Sequence, residues 1–143
     1  MGRSIAEKLS SEGYRVWISA RNQKELEAAK NEIEAKTGNE VKIHAIDFSS
    51  QDQIERYADE ILKTGESIDV LVNNVGVYIP DNLKDAAQKL DMQMDVNFYA
   101  PYYLTQKLLQ KFEEQKAGSI FNICSVVNRK PRVDGASYTI SKF

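Results

Sequence analysis

Tyr138 and Lys142 stand four residues apart in the run SYTISKF, a spacing that puts both side chains on one face of a helix. A free phenol, with a pKa of about 10, is a poor base near neutrality, and a neighbouring ammonium group favours the phenolate. Two unit charges about 4 Å apart at an effective dielectric near 20 interact by about 4 kcal/mol, enough to bring a phenol from about 10 to near 7. Acid–base catalysis works best there. Taken alone, such a pair reads better as an exposed surface pair, and its neighbours reverse that reading. Ser125 lies thirteen residues upstream, just past the predicted strand from Ser119 to Ile123, where a hydroxyl at the carboxyl edge of a sheet can reach a ligand in the crevice. Asn73-Asn74-Val75-Gly76 follows Val70-Leu71-Val72 in the same way, and Asn97 is a polar residue among apolar ones in MDVNFYA.

The elements that must position these residues alternate along the chain. Ile5, Ala6 and Leu9 share a helical face over residues 3–12, with Gly13 to end the helix. Tyr14 to Ala20 has the β-branched and aromatic bias of a strand, and Asn22 with Glu25 forms a capping pair for a helix that stops near Gly38. Val41, Ile43 and Ala45 alternate as a second strand. Ile54, Tyr57, Ala58, Ile61 and Leu62 mark a helix ending by Gly65. The continuous run Val70-Leu71-Val72 predicts a strand covered on both faces. A long helical stretch from Asp85 to Gln115 carries Leu104, Leu108 and Phe112 at helical spacing, with Pro101 to kink or interrupt it. Strands alternating with helices predict an α/β fold with a parallel, doubly wound sheet.

Composition narrows the function. A length of 143 residues suits a single domain spanning 1–143 rather than two. Nineteen basic against twenty-one acidic residues, with no basic run, argue against nucleic acid and a membrane surface as partners. The one cysteine, Cys124, cannot form an internal disulfide, and no apolar stretch approaches the roughly 20 residues that span a bilayer, so the expectation is a soluble cytoplasmic protein. His44 has no metal-ligand partner at useful spacing, and no metal site is expected. Cys124 is expected to pack beside Ser125 rather than react.

Taken together, these motifs resemble the short-chain dehydrogenase/reductase family, and the resemblance runs over essentially the whole chain. NNVG at 73–76 is similar to the family's Asn-Asn-Ala-Gly, with Val75 for the usual alanine, and Asn97, Ser125, Tyr138 and Lys142 fall on its catalytic tetrad. The resemblance implies a three-layer Rossmann-type sheet. It also implies that Tyr138 exchanges the proton, Ser125 holds the substrate oxygen, Lys142 lowers the phenol pKa and binds the nicotinamide ribose, and Asn97 anchors a relay water. Asn74, Val75 and Gly76 would lie along the cofactor, Gly2 would be the last glycine of the phosphate-binding turn, and Asp47 with Phe48 would contact adenine. At the end of the Tyr14 strand, where an acid would bind the ribose hydroxyls of NAD, the chain has Arg21-Asn22, so Arg21 points to NADP(H), with NAD less favoured. The implied activity is hydride transfer between NADPH and a carbonyl or alcohol, a ketone or a 3-oxoacyl thioester, in a homodimer or homotetramer. GASYTISKF and FNICS are similar to segments of bacterial 3-oxoacyl-(acyl carrier protein) reductases.

Against the family pattern, the first strand, two of three glycines of the phosphate turn and the C-terminal strands and helices are missing. The expectation is a fragment, in which the strand from Tyr14 lacks a partner on one side and the strand from Val70 is bare along an inner edge. Two other readings compete with the oxidoreductase: a cofactor-binding or scaffold protein without turnover, and an inactive truncated chain.

Overall fold

Asn22 turns the chain from strand into helix, its side-chain oxygen accepting from the N–H groups of Lys24 at 3.0 Å and Glu25 at 3.3 Å while its amide donates to the Glu25 carboxylate. In the computed structural model, which describes residues 1–143 except Asn82, Leu83, Asp85, Val133 and Phe143, and all their side chains but those of Ala86 and Ala87, this cap opens the second helix. The elements run α1 Gly2–Ser11, β1 Val16–Ala20, α2 Gln23–Thr37, β2 Val41–Ala45, α3 Gln51–Lys63, β3 Val70–Asn73 and α4 Ala86–Met94. A π-helical turn Asp95–Tyr99, α5 Ala100–Gln115, β4 Ser119–Asn122, a 3-10 turn Val126–Asn128 and α6 Ala136–Ser141 follow. Among the described residues, no helix is long and apolar enough to cross a membrane.

The chain gathers into two compact units, Met1–Asp47 and Phe48–Phe143. In the first, β1 and β2 pair in parallel with Val16 opposite Val41 and Ala20 opposite Ala45. Ala6, Val16, Ile33 and Val41 form the core, with Leu9 and Ile18 packed against it. Gly38, in the left-handed region at φ 72°, ends α2 by donating to the Glu34 carbonyl. The Glu34 side chain then accepts from Val41 N–H at 2.8 Å, so the helix end sets where β2 begins.

In the second unit β3 and β4 pair in parallel, Val70 opposite Ser119 and Asn73 opposite Asn122. α3 packs against α5, and their buried positions recur at helical spacing: Ile54, Tyr57 and Ala58 on one, Ala100, Leu104 and Leu108 on the other. Pro101 does interrupt the long helix. Lacking an N–H, it cannot close the α-helical bond to the Asn97 carbonyl four residues back, and the ladder widens into the π turn just before it.

One strand expectation needs correcting. Val70, Leu71 and Val72 are half-buried rather than covered on both faces; among the described residues β3 pairs with β4 alone, and β4 is exposed along its length. Among the described residues each unit holds one parallel pair of strands, and no strand pairs with the flank of β3 away from β4, as expected. Cys124, just past β4, is likewise exposed instead of packed.

Gly118 sets the entry to β4. Its φ is 126°, and an added Cβ would overlap the Phe112 ring and lie 3.1 Å from the Ile68 carbonyl oxygen. Gly118→Ala is therefore expected to destabilise the protein by about 2 kcal/mol or more, seen as a lower urea midpoint. Gly13→Ala, where an added Cβ meets open space, should cost only the strain of its positive φ, about 1 kcal/mol. Equal midpoints for the two variants would contradict this account.

Candidate active site

The site grows from the carboxyl end of β3. Asn73 is buried, and its amide donates to the Asn122 side chain at 2.8 Å and to Thr105 Oγ1 at 3.1 Å, while its carbonyl accepts from Ile123 N–H at 3.0 Å. The first asparagine of the NNVG run thus ties β3, β4 and α5 together. Asn74 and Val75 are half-buried, and Gly76 is exposed. An added Cβ on Gly76 would lie 3.2 Å from Lys142 Nζ and 3.4 Å from Asn97 Oδ1. Residues 66 positions apart in sequence, Gly76 and Lys142, therefore meet.

Past Gly76 the chain is held residue by alternate residue. Asn97, from the π turn, accepts from Val77 N–H at 2.7 Å and donates to the Val77 carbonyl at 2.9 Å. Gln93, one turn earlier and fully buried, does the same for Ile79, accepting at 3.1 Å and donating at 3.4 Å. Two amide side chains spaced four apart on a helix thus supply the donors and acceptors that a neighbouring strand would give. Asp81, next in the alternation, bridges to Gly135. Sequence reasoning missed Gln93; the available signal was its spacing from Asn97, which puts two amides on one face of the helix.

The same Asn97 amide donates to Ser141 Oγ at 2.8 Å, and Ser141 in turn donates to the Tyr138 carbonyl at 2.9 Å. Tyr138 and Lys142 occupy one turn, closed by the bond from Lys142 N–H to the Tyr138 carbonyl at 3.1 Å. The Tyr138 ring meets Tyr78 edge-on, with centroids 5.1 Å apart. Lys142 is half-buried, and burial pushes its ammonium below the ordinary lysine range, with the nearby Cys124 sulfur acting in the opposite direction. Ser125 caps the 3-10 turn, its Oγ accepting from Val127 N–H at 3.4 Å, and the buried Val127 anchors that turn.

The other sequence-predicted residues have separate settings. Gly2 is the first residue of α1. Arg21 is exposed past the end of β1 and makes no ion pair among the described residues. The Asn22 side chain is committed to the α2 cap, and Asp47 is half-buried after β2. Phe48, which begins the second unit, is buried with 7% of its surface exposed, so its ring faces the interior.

Comparison with known proteins places this geometry. The family model "short chain dehydrogenase" matches residues 1–143. A 3-oxoacyl-(acyl-carrier-protein) reductase, FabG, from Aquifex aeolicus is 35% identical over 146 residues, covering 99% of this chain and 58% of that protein. The 17-beta-hydroxysteroid dehydrogenase type 3 of Danio rerio is 32% identical, covering 99% of this chain and 48% of its own length. A crystal structure of a metagenomic short-chain oxidoreductase in complex with NADP superposes with a TM-score of 0.92 at 39% identity, over 99% of this chain and 63% of that one. The chain thus spans under two thirds of each of these relatives. With the match running from its first residue to its last, the chain belongs to the short chain dehydrogenase family.

Proposed function

We propose that this chain carries the proton-transfer site of an NADP(H)-dependent oxidoreductase that interconverts a carbonyl and an alcohol, with Tyr138 as general acid and base. The observation that carries the reading is the convergence of Gly76, Asn97 and Lys142 on the turn that holds Tyr138. A nicotinamide nucleotide fits this setting: Gly76 offers bare backbone beside Lys142 Nζ, where any side chain would fill the approach. When bound, it supplies the hydride. In reduction, Tyr138 would give its phenolic proton to the carbonyl oxygen, and Ser125 would donate a hydrogen bond to the same oxygen. Lys142 binds the nicotinamide ribose, and its ammonium stabilises the phenolate left on Tyr138. Asn97 holds a relay water through its carbonyl, which Pro101 deprives of its α-helical donor. Within the second unit, Asn74, Val75 and Gly76 would line the cofactor.

Arg21 supports NADP(H) over NAD(H), since a guanidinium without an ion pair among the described residues suits a 2′-phosphate. The NADP-bound relative agrees with this choice. Likeness to FabG and to a hydroxysteroid dehydrogenase supports a ketone or 3-oxoacyl thioester as substrate. We read the protein as a cytoplasmic homo-oligomer; the exposed Phe98, Tyr99, Tyr102 and Leu109 support self-association.

In the full-length protein, Tyr138→Phe should reduce carbonyl turnover by at least about 100-fold while NADPH still binds. A Phe variant that kept most of the wild-type rate would remove Tyr138 as the acid. Arg21→Ala should weaken NADPH binding by about 10-fold or more and leave NADH binding within about 2-fold. Equal losses by titration calorimetry would overturn the cofactor choice. A lysine whose pKa is lowered in the fold is held less favourably charged there than in the unfolded chain, so below that pKa its charge opposes folding. Lys142→Met should therefore keep or raise the thermal midpoint while turnover falls; a lowered midpoint would contradict the assignment of Lys142 as a residue kept for function.

A further inference from the structure

Asp81 is the acidic side chain in the buried set of the described residues, with 6% of its surface exposed. A carboxylate is buried only where its oxygens are well supplied with donors. Here the donors belong to the first turn of α6. Gly135 at the N-cap of that helix has no side chain to accept from the turn's N–H groups. Asp81, 56 residues before Ser137, accepts from Ser137 N–H with both oxygens, at 3.2 and 3.3 Å, and from the Ser137 hydroxyl. The backbones are joined at the same place, since Asp81 N–H donates to the Asp134 carbonyl at 3.3 Å and Asp81 pairs with Gly135 as a parallel bridge. Tyr78 adds a third tie, its hydroxyl donating to the Asp134 carbonyl at 3.1 Å while its ring edges onto Tyr138. An added Cβ on Gly135 would lie 3.0 Å from the Tyr78 ring, so the residue at the cap is small where that ring packs.

We propose that Asp81 is a positioning residue for Tyr138. Its carboxylate grips the residue immediately before the tyrosine, and Asn97 through Ser141 grips the tyrosine's own carbonyl. Tyr138 is therefore fixed from both sides, by Asp81 from the segment after Gly76 and by Asn97 from the π turn. The carboxylate suits the place, because it accepts from an N–H that the first turn leaves without an intrahelical partner. The catalytic consequence comes from geometry, since a misplacement of about 1 Å at a reacting group costs on the order of 100-fold in rate. The proposal rests on the carbonyl-reductase reading given above.

The test uses the full-length protein with saturating NADPH and a reducible ketone. Asp81→Ala should lower kcat by roughly 30- to 100-fold, with the KM for the ketone and the Kd for NADPH within about 2-fold of wild type. Asp81→Asn keeps an acceptor for Ser137 N–H and should recover part of that loss, to within about 10-fold of wild type. Amide hydrogen exchange over residues 135–142 should be fastest in Asp81→Ala, intermediate in Asp81→Asn and slowest in wild type. If Asp81→Ala does not fold, Asp81→Asn and the milder Ser137→Ala decide the matter by the same split between kcat and KM. A variant that binds NADPH, exchanges faster at 135–142 and keeps wild-type kcat would make Asp81 a helix cap without bearing on catalysis, and would overturn the proposal. Unchanged exchange would overturn it as well. A wild-type protein inactive toward every carbonyl sinks the oxidoreductase reading and this proposal with it, whereas an active wild type with unaffected Asp81 variants sinks the positioning role alone.

Discussion

The side-chain amide of Asn97 makes three short hydrogen bonds, two to the backbone of Val77 and one to Ser141 Oγ, in a setting that leaves 7% of the residue exposed. Each partner lies on a different part of the second unit: the segment after β3 on one side, the helix of Tyr138 and Lys142 on the other. Removing a partner from a buried amide leaves polar groups unpaired, at about 1–3 kcal/mol each. The network is therefore stiff, and it works as a single piece. The π turn that carries Asn97 lies directly before Pro101, which cannot close the α-helical bond to the Asn97 carbonyl.

Around that clamp the polar chemistry is arranged by burial. Lys142 is half-buried beside the bare backbone of Gly76, and its ammonium is held at a cost to the fold. Asp81 is buried more deeply, and its hydrogen bonds to Ser137 support it. Among the described residues, no buried side-chain nitrogen or oxygen is left without a partner, so the network is satisfied as it stands. A satisfied network of this kind gives Tyr138 and Lys142 a fixed geometry, which the proposed proton transfer would use as electrostatic preorganisation.

Local patterns were legible in the sequence. The Asn22 and Glu25 cap, the stop at Gly38, the interruption by Pro101 and the single turn joining Tyr138 to Lys142 each follow from neighbours within a few residues, and the structure has them all. What was not legible is long-range. Asp81 follows Pro80 and reads as an ordinary turn residue; its partner lies 56 positions away. Gln93 reads as one more polar residue on an amphipathic helix until the Ile79 backbone is placed against it. The burial of β3 was overestimated, because an apolar run tells what a strand would bury and not what stands beside it. Phe48, directly after Asp47, has its ring inside, as its hydrophobicity dictates.

The central claim is that this clamp holds a tyrosine for reducing a carbonyl. The most direct measurement is the stoichiometry of NADPH oxidised against alcohol formed when the full-length protein is given ketones and 3-oxoacyl thioesters. The account predicts one alcohol per NADPH with at least one of these substrates. NADPH that binds and stays reduced across the whole series, with no alcohol formed, would contradict it.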